Sequence, residues 1–341
     1  MYISNQKGLL YIINFIYPGL WLFGTSILLT YALRWGTGDR LLIVRLINYL
    51  MPWMLLGLIP GLVMAGLTHR IGLFVTLAIP TIIICLTYSP LFLHHSKIAL
   101  AKNKSMKVMS YNVWRENSNI TKLAEVILHD QPDILLLQEI SPNRAQALIT
   151  ALNELYHDNE LYFAIESQMF QAVISRYPIT TQAPKQKKGR AQKVLLETPS
   201  SSITVFNVHF RRCGNWLRRE HEIAEFLTEE IGSTDGPILL GGDFNTTDQT
   251  QAYRLLKQYL SNAHWEAGKG FGFTFPASHY KFKRRVSIPV PLVRIDHIFY
   301  SDHFSPLNAG TLNNAGRSDH FPVVADFLWV KDYNVSSTIN I

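Results

Sequence analysis

The sequence predicts a soluble α/β domain preceded by three transmembrane helices. Two observations carry this. Near the N-terminus, residues 8–33, 46–67 and 71–96 form windows of 22 residues or more with no Lys, Arg, Asp or Glu. Beyond them, short apolar runs alternate with stretches whose apolar residues recur at the helical period.

About 20 apolar residues at ~1.5 Å each cross a bilayer core of roughly 30 Å, so each window is long enough to span. Buried helices of a soluble protein rarely stay uncharged for so long. Pro18, Pro52, Pro60 and Pro80 lie inside the windows, where membrane helices tolerate them. A cleaved signal peptide does not explain the first window, which is too long and is followed by two more. The windows also explain why only 17% of this 341-residue chain is charged, although 48% is hydrophobic. That composition excludes a disordered or collagen-like chain.

The net charge of +7 is unevenly placed. Residues 1–97 hold six basic residues and one acid, Asp39, giving +5; residues 98–341 hold 26 basic and 24 acidic residues, giving +2. The basic character therefore belongs mainly to the membrane region and is not a nucleic-acid footprint. With three crossings, Lys7 and Arg70 fall on one side. Arg34, Arg40, Arg45, Lys97, Lys102, Lys104 and Lys107 fall on the other. Positive charge favours the cytoplasmic face, which predicts a multi-pass protein of the inner or plasma membrane with a cytoplasmic C-terminal domain. Cys85 lies in the third window and Cys213 in the soluble part, so no structural disulfide is expected between them.

The expected organisation is a membrane region over 1–97, a polar linker over 98–107, a catalytic domain over 108–330 and a tail over 331–341. Eight strands are expected, at 108–113, 134–137, 172–175, 194–197, 203–208, 238–240, 295–300 and 322–327. Ser118 is placed to cap a helix carrying Ile120, Leu123, Ala124, Ile127 and Leu128, ended by Pro132. Further helices are expected over 216–231 and 249–260. This pattern suggests two packed sheets flanked by helices, but periodicity alone does not settle it.

Polar residues gather where the apolar runs end: Asn112, Glu139, His209, Asp243 and Asn245, Asp296, and Asp319 with His320. Asp243 and Asn245 are two apart, so in extended chain they share a face; a carboxylate beside a neutral amide can orient a water and a phosphoryl oxygen. Asp319 and His320 offer a metal ligand and a titratable base from one short loop. Glu139 and Asp319 are hard oxygen ligands suited to Mg²⁺ or Mn²⁺. Each residue alone is weak evidence, because strand-end acids and amides commonly cap turns. Their ordered succession over about two hundred residues is not.

That succession, above all Gly241-Gly242-Asp243-Phe244-Asn245 and Ser318-Asp319-His320, resembles the endonuclease/exonuclease/phosphatase superfamily, over roughly residues 105–330. The resemblance implies a four-layer α/β sandwich with the site at one edge of two packed sheets. It implies Glu139 as principal Mg²⁺ ligand, with Asn112 and Asp319 completing the site or binding phosphate. It further implies Asp243 and Asn245 orienting water and phosphate, a His320–Asp296 dyad, and His209 as the second histidine of the deoxyribonuclease and sphingomyelinase relatives. Phosphoester hydrolysis needs an activated water and charge compensation on the phosphoryl oxygens, which a metal and a carboxylate or histidine supply. Whether Asp243 or His320 is the base stays open.

Basic clusters at 185–193, 211–219 and 281–285 are solvated loops or contacts to anionic substrate. Arg211 and Arg212, just after His209, are the substrate-facing candidates. The expected activity is a membrane-anchored, Mg²⁺-dependent (Mn²⁺ also suitable) phosphodiesterase or phosphohydrolase, with the bilayer and a lipid head group or nucleic acid as partners. The alternatives are a membrane-anchored endonuclease acting on DNA or RNA and a catalytically inactive binding module.

Overall fold

A computed structural model of the chain describes residues 2–93, 105–155, 161–182, 191–210, 216–277, 281–282, 286–288 and 290–330. Most of the expected linker, the tail, Cys213, Arg211 and Arg212 lie outside these residues. The chain divides into two compact units, Met1–Pro90 with Gln249–Gln251, and Leu91–Asp248 with Ala252–Ile341.

The first unit contains α1 (Tyr2–Thr37), α2 (Leu42–Leu50), a 3₁₀ turn at Met51–Met54, α3 (Leu55–Leu67) and α4 (Ile71–Tyr88). Three segments are long and apolar enough to cross a membrane: Phe15–Thr37, Leu42–Leu67 and Ile71–Tyr88. Only 22%, 22% and 33% of their windows are buried. Leu22, Leu56, Leu67, Ile71 and Leu86 are among the large apolar side chains left facing outward, a surface that water disfavours by roughly 25 cal/mol per Å². Helix hydroxyls are satisfied at home: Thr30 Oγ1 donates to Ser26 O at 2.7 Å, and Thr81 Oγ1 to Leu77 O at 2.7 Å. Asp39, the one acid here, is buried and accepts from Asn48 Nδ2 at 2.6 Å. Cys85 is unpaired and exposed.

The second unit opens with the short α5 (Pro90–Leu93). Its strands are β1 (Met106–Asn112), β2 (Ile134–Gln138), β3 (Tyr162–Glu166), β4 (Gln171–Ser175), β5 (Ile179–Gln182), β6 (Ala191–Glu197), β7 (Ser202–His209), β8 (Ile238–Asp243), β9 (Ser261–Asn262), β10 (Lys281–Phe282), β11 (Val286–Ser287), β12 (Asp296–Tyr300), β13 (Phe304–Thr311) and β14 (Val323–Trp329). The helices are α6 (Ile120–Asp130), α7 (Pro142–Leu155), α8 (Trp216–Phe226, continued by a π turn at Leu227–Ile231), α9 (Gln251–Leu256) and α10 (Ala263–Ala267).

The strands form two six-stranded sheets, β13-β14-β1-β2-β4-β3 and β5-β6-β7-β8-β12-β9, beside a β10-β11 ribbon. Both are mixed. In the first, β1 and β2 run parallel, joined through α6; in the second, β7 and β8 run parallel, joined through α8. The core between the sheets is apolar, with Val108, Ile134, Leu136 and Val173 facing Val194, Leu196, Ile203, Val205, Leu239 and Ile298. The outer face of the first sheet buries Met109, Leu135 and Ile174 against Leu123 and Ile127 of α6 and Leu148 and Leu152 of α7. The other buries Phe206, Leu240 and Phe299 against Ile223 and Phe226 of α8 and Tyr253 and Leu256 of α9. Helix, sheet, sheet and helix make the four-layer sandwich.

Three expectations change in detail. The cap of α6 is Asn119, whose side chain accepts from Lys122 N, and not Ser118. The helix expected over 249–260 covers six residues only. Four strands beyond the eight expected, β3, β5, β9 and β13, lie in the two sheets.

Candidate active site

Both parallel pairs end on the same rim, the position where α/β sheets bind ligands. In the second sheet, register alone builds a row. His209 pairs with Asp243 across β7 and β8, and Asp243 pairs with Asp296 across β8 and β12. In the first sheet Asn112 pairs with Gln138, and Glu139 follows with φ +59°. Asn245 also has positive φ, +50°. Left-handed backbone costs a non-glycine residue on the order of 1–3 kcal/mol where it is strained, and here it turns two polar side chains to the rim.

The Gly-Gly preceding Asp243 has a packing cause. A Cβ on Gly241 would lie 2.6 Å from Leu136 Cδ1 in the opposite sheet. Gly242 has φ +155°, and its Cβ would lie 1.9 Å from Val208 O. A side chain at 242 would drive the backbone of β8 away from β7, and one at 241 would force the Leu136 side chain to move.

The two sheets meet at the rim. Asn112 Nδ2 donates to Asp243 Oδ2 at 3.1 Å and lies 3.4 Å from Glu139 Oε1. His209 Nε2 stands 3.7 Å from Glu139 Oε1 and 3.6 Å from Asp243 Oδ2. His320 Nδ1 is 2.8 Å from Asp296 Oδ2, and its Nε2 aims at Asp243 Oδ2 from 3.8 Å. That Nε2 is buried and has no hydrogen-bond partner among the described residues. Asp243 Oδ1 accepts from Asn245 N at 2.9 Å, while Asn245 Nδ2 donates to Phe210 O at 2.7 Å. Asp319 is buried beside His320. Arg115 N donates to Glu139 Oε2 at 2.9 Å.

Electrostatics follow from these neighbours. Burial opposes ionisation of Glu139, but the Arg115 N–H, His209, the Asn112 amide and His320 outweigh it and hold its carboxyl below the ordinary value. Burial likewise opposes a charged His320. Asp296, Asp243, the Asp296 hydrogen bond and Asp319 overcome it and push the imidazolium up to about 10.

Several residues that fix this geometry escape sequence reading. Thr274 Oγ1 accepts from Ile295 N and Asp296 N, at 3.1 and 3.3 Å. Ser318 Oγ donates to Asn112 O at 2.7 Å and accepts from His320 N at 3.1 Å. Arg219, buried, donates to Asn245 O at 2.5 Å. Arg144 reaches the carbonyls of Trp114, Arg115 and Glu139 at 3.1–3.3 Å. The Ser-x-His spacing is a local signal for Ser318; Thr274, Arg219 and Arg144 have none. Among the described members of the basic clusters, three contact their own chain: Arg219, Arg218, whose Nε lies 3.5 Å from Glu222 Oε1, and Lys193, 3.6 Å from Glu230 Oε2.

Two mixed sheets flanked by helices, with this rim, define a phosphoesterase fold. The family model described as the endonuclease/exonuclease/phosphatase family matches residues 109–320. This chain belongs to that family. No curated protein sequence matches it. Among solved structures, a family protein from Leptotrichia buccalis is 21% identical with a TM-score of 0.51, covering 66% of this chain and 100% of its own. A Bacteroides vulgatus family member is 18% identical with a TM-score of 0.52, covering 66% and 99%. A Bacteroides thetaiotaomicron mannosyl-6-phosphatase is 19% identical with a TM-score of 0.52, covering 66% and 100%. At these identities the likeness is one of fold.

The residues also suit a divalent cation. Asp243, Asp296 and His320 offer ligand atoms within 4.8 Å of one another, and the Glu139 carboxylate, joined to Asp243 through the Asn112 amide, adds a hard oxygen donor beside them.

Proposed function

We propose that this protein is a membrane-anchored phosphoesterase that uses Mg²⁺ or Mn²⁺ to hydrolyse a phosphoester near the bilayer by direct attack of water. Residues 1–97 form the anchor, 98–107 the linker, 108–330 the catalytic domain and 331–341 a tail. The supporting observation is the convergence of Asn112, Glu139, His209, Asp243 and His320 through contacts of 3.1–3.8 Å.

Glu139, with Asn112 and Asp319, would hold the cation, which when bound lowers the pKa of water and offsets phosphoryl charge. Asp243 is the base. Its Oδ1 is held by Asn245 N, and its Oδ2 is the point on which Asn112, His209 and His320 converge. His320, oriented and kept cationic by Asp296, donates from Nε2 to a phosphoryl oxygen as charge develops there. His209, set between Glu139 and Asp243, is a second donor on the opposite flank. Arg211 and Arg212 follow it in sequence and are assigned to the anionic substrate.

A lipid phosphoester fits best. Confinement to a bilayer raises the effective concentration on lipid, and the catalytic domain is close to neutral. The loop over 268–276 brings an apolar ring to the site: Phe275 lies 4.8 Å from the His320 ring, and further along the loop Phe271 and Phe273 stack at 5.2 Å. His264 Nε2 pins the loop at Gly270 O, at 2.9 Å, and Thr311 Oγ1 at Gly272 O, also at 2.9 Å.

The test offers the full chain in lipid nanodiscs with Mg²⁺ a panel of phospholipids, DNA, RNA, a sugar phosphate and bis(4-nitrophenyl) phosphate. Cleavage of phospholipid and aryl diester, abolished by EDTA, is expected. Cleavage of nucleic acid alone would sink the lipid reading, and a folded, cation-binding protein inactive on every substrate would point to a binding module. A reporter fused after Ile341 should read cytoplasmic.

A further inference from the structure

Two sheets packed face to face normally stand about 10 Å apart, filled by apolar side chains. Toward the rim of this sandwich the filling changes. Ser110, Gln138, Gln171, Gln192 and Asn207 are all buried between the strands. Gln138 Nε2, from the first sheet, donates to Asn207 Oδ1 of the second at 2.7 Å and lies 3.2 Å from Ser110 Oγ. Asn207 Nδ2 returns across the gap to Leu137 O and Ala172 O, at 2.9 and 3.1 Å. Gln192 of the second sheet donates from Nε2 to Ala164 O of the first at 2.9 Å.

This layer lies one rung below the site. Ser110 is two residues before Asn112, Asn207 two before His209, and Gly241 two before Asp243, so each shares a strand face with its partner. Gln138 immediately precedes Glu139, whose left-handed turn breaks the alternation.

We infer that the Gln138–Asn207 hydrogen bond and its cross-sheet partners act as a spacer that sets the distance between the Asn112–Glu139 half of the site and the His209–Asp243 half; Gln138 and Asn207 are positioning residues. Apolar contacts tolerate a range of separations, whereas a hydrogen bond loses strength outside a narrow one. The halves belong to different sheets, so no strand register fixes their separation. An apolar filling of similar shape can serve stability as well as a buried hydrogen bond does, so stability alone does not account for a polar layer here. Gln138 Oε1 is also buried with no hydrogen-bond partner among the described residues, an arrangement that costs stability.

The catalytic readout rests on the phosphoesterase reading, so a second readout is independent of turnover. The full chain in detergent is compared as wild type, Gln138→Met/Asn207→Leu and Ile203→Val, the last a purely apolar change in the same inter-sheet core. Tm, kcat and KM on bis(4-nitrophenyl) phosphate, and Mn²⁺-induced relaxation of the His209 and His320 ring protons are measured. The double variant leaves Ser110 Oγ and Gln192 Oε1 without these partners, so it should melt somewhat below wild type; folded at the assay temperature, it should have kcat lowered at least about 10-fold, as expected for an ångström-scale displacement. KM should be little changed and Mn²⁺ relaxation at both rings altered. Ile203→Val should lower Tm without touching kcat or relaxation. Wild-type kcat and relaxation in the folded double variant would overturn the spacer, as would losses that merely follow Tm. If the wild type is inactive on every phosphoester but its ring relaxation differs from the double variant's, the functional reading falls and the spacer stands. Should the double variant fail to fold, Asn207→Ser, which shortens the bridge but keeps a polar group, carries the same comparison.

Discussion

The sheet containing β7, β8 and β12 delivers His209, Asp243 and Asp296 in one row of paired positions, whereas the sheet containing β1 and β2 delivers Glu139 only after the backbone turns left-handed. Exposure cuts across that division, because His209 ends the row yet stays partly open. Asp243, Asp296 and the His320 docked on them are nearly inaccessible, while the side chains of Glu139 and His209 are 22% and 24% exposed. On the proposed function, the buried Asp243, Asp296 and His320 would carry proton transfer where electrostatics are strongest, and the partly exposed Glu139 carboxylate would be the group open to a cation.

The largest effect should come from the buried trio. Asp243→Asn or His320→Asn is expected to lower kcat by about 10³-fold, within the range for positioned acid–base groups, with little change in the Mg²⁺ concentration for half activity. A large midpoint shift with kcat preserved would break the division. Glu139→Gln should do the reverse, raising that midpoint at least about 10-fold, because even outer partners of metal ligands cost that much. Measuring rate against Mg²⁺ concentration separates the two. Thr274→Val touches neither substrate nor cation but leaves the Ile295 and Asp296 N–H groups without their acceptor. A loss in kcat of about 10-fold is expected, and a loss confined to Tm would show that Thr274 is only structural.

The last prediction concerns stability and not turnover. Burial first, then the charge of Arg294, pull His264 down to about 3, so the folded protein keeps it neutral while the unfolded chain protonates it below pH ~6.5. The unfolded state then binds more protons, and stability falls with acidification by up to about 1.4 kcal/mol per pH unit between those values. Above pH ~6.5 the residue adds no pH dependence. His264→Phe should flatten that slope in denaturation curves taken from pH 6 to 4; an unchanged slope would refute it.

The eight strands legible in the sequence are the eight interior strands of the two sheets, and the four that escaped are the four edges: β13, β3, β5 and β9. An interior strand needs an apolar run because neighbours and layers cover it. An edge strand can be short, as β9 is, or broken by Pro306 and a register shift, as β13 is. The rim followed the same logic. Asp243, Asp296, His209 and His320 stand out because charged or titratable groups interrupt apolar surroundings. Gln138, Asn207, Thr274 and Ser318 are neutral, and their meaning lies in partners as far as 206 residues away in the chain. No local pattern encodes such a partner.

The two glycines before Asp243 constrain how this protein can vary. A methyl group at 242 would meet the Val208 carbonyl, and one at 241 would meet the opposite sheet. Random mutagenesis should therefore return a frame that is nearly silent, with substrate preference drifting through the 268–276 loop.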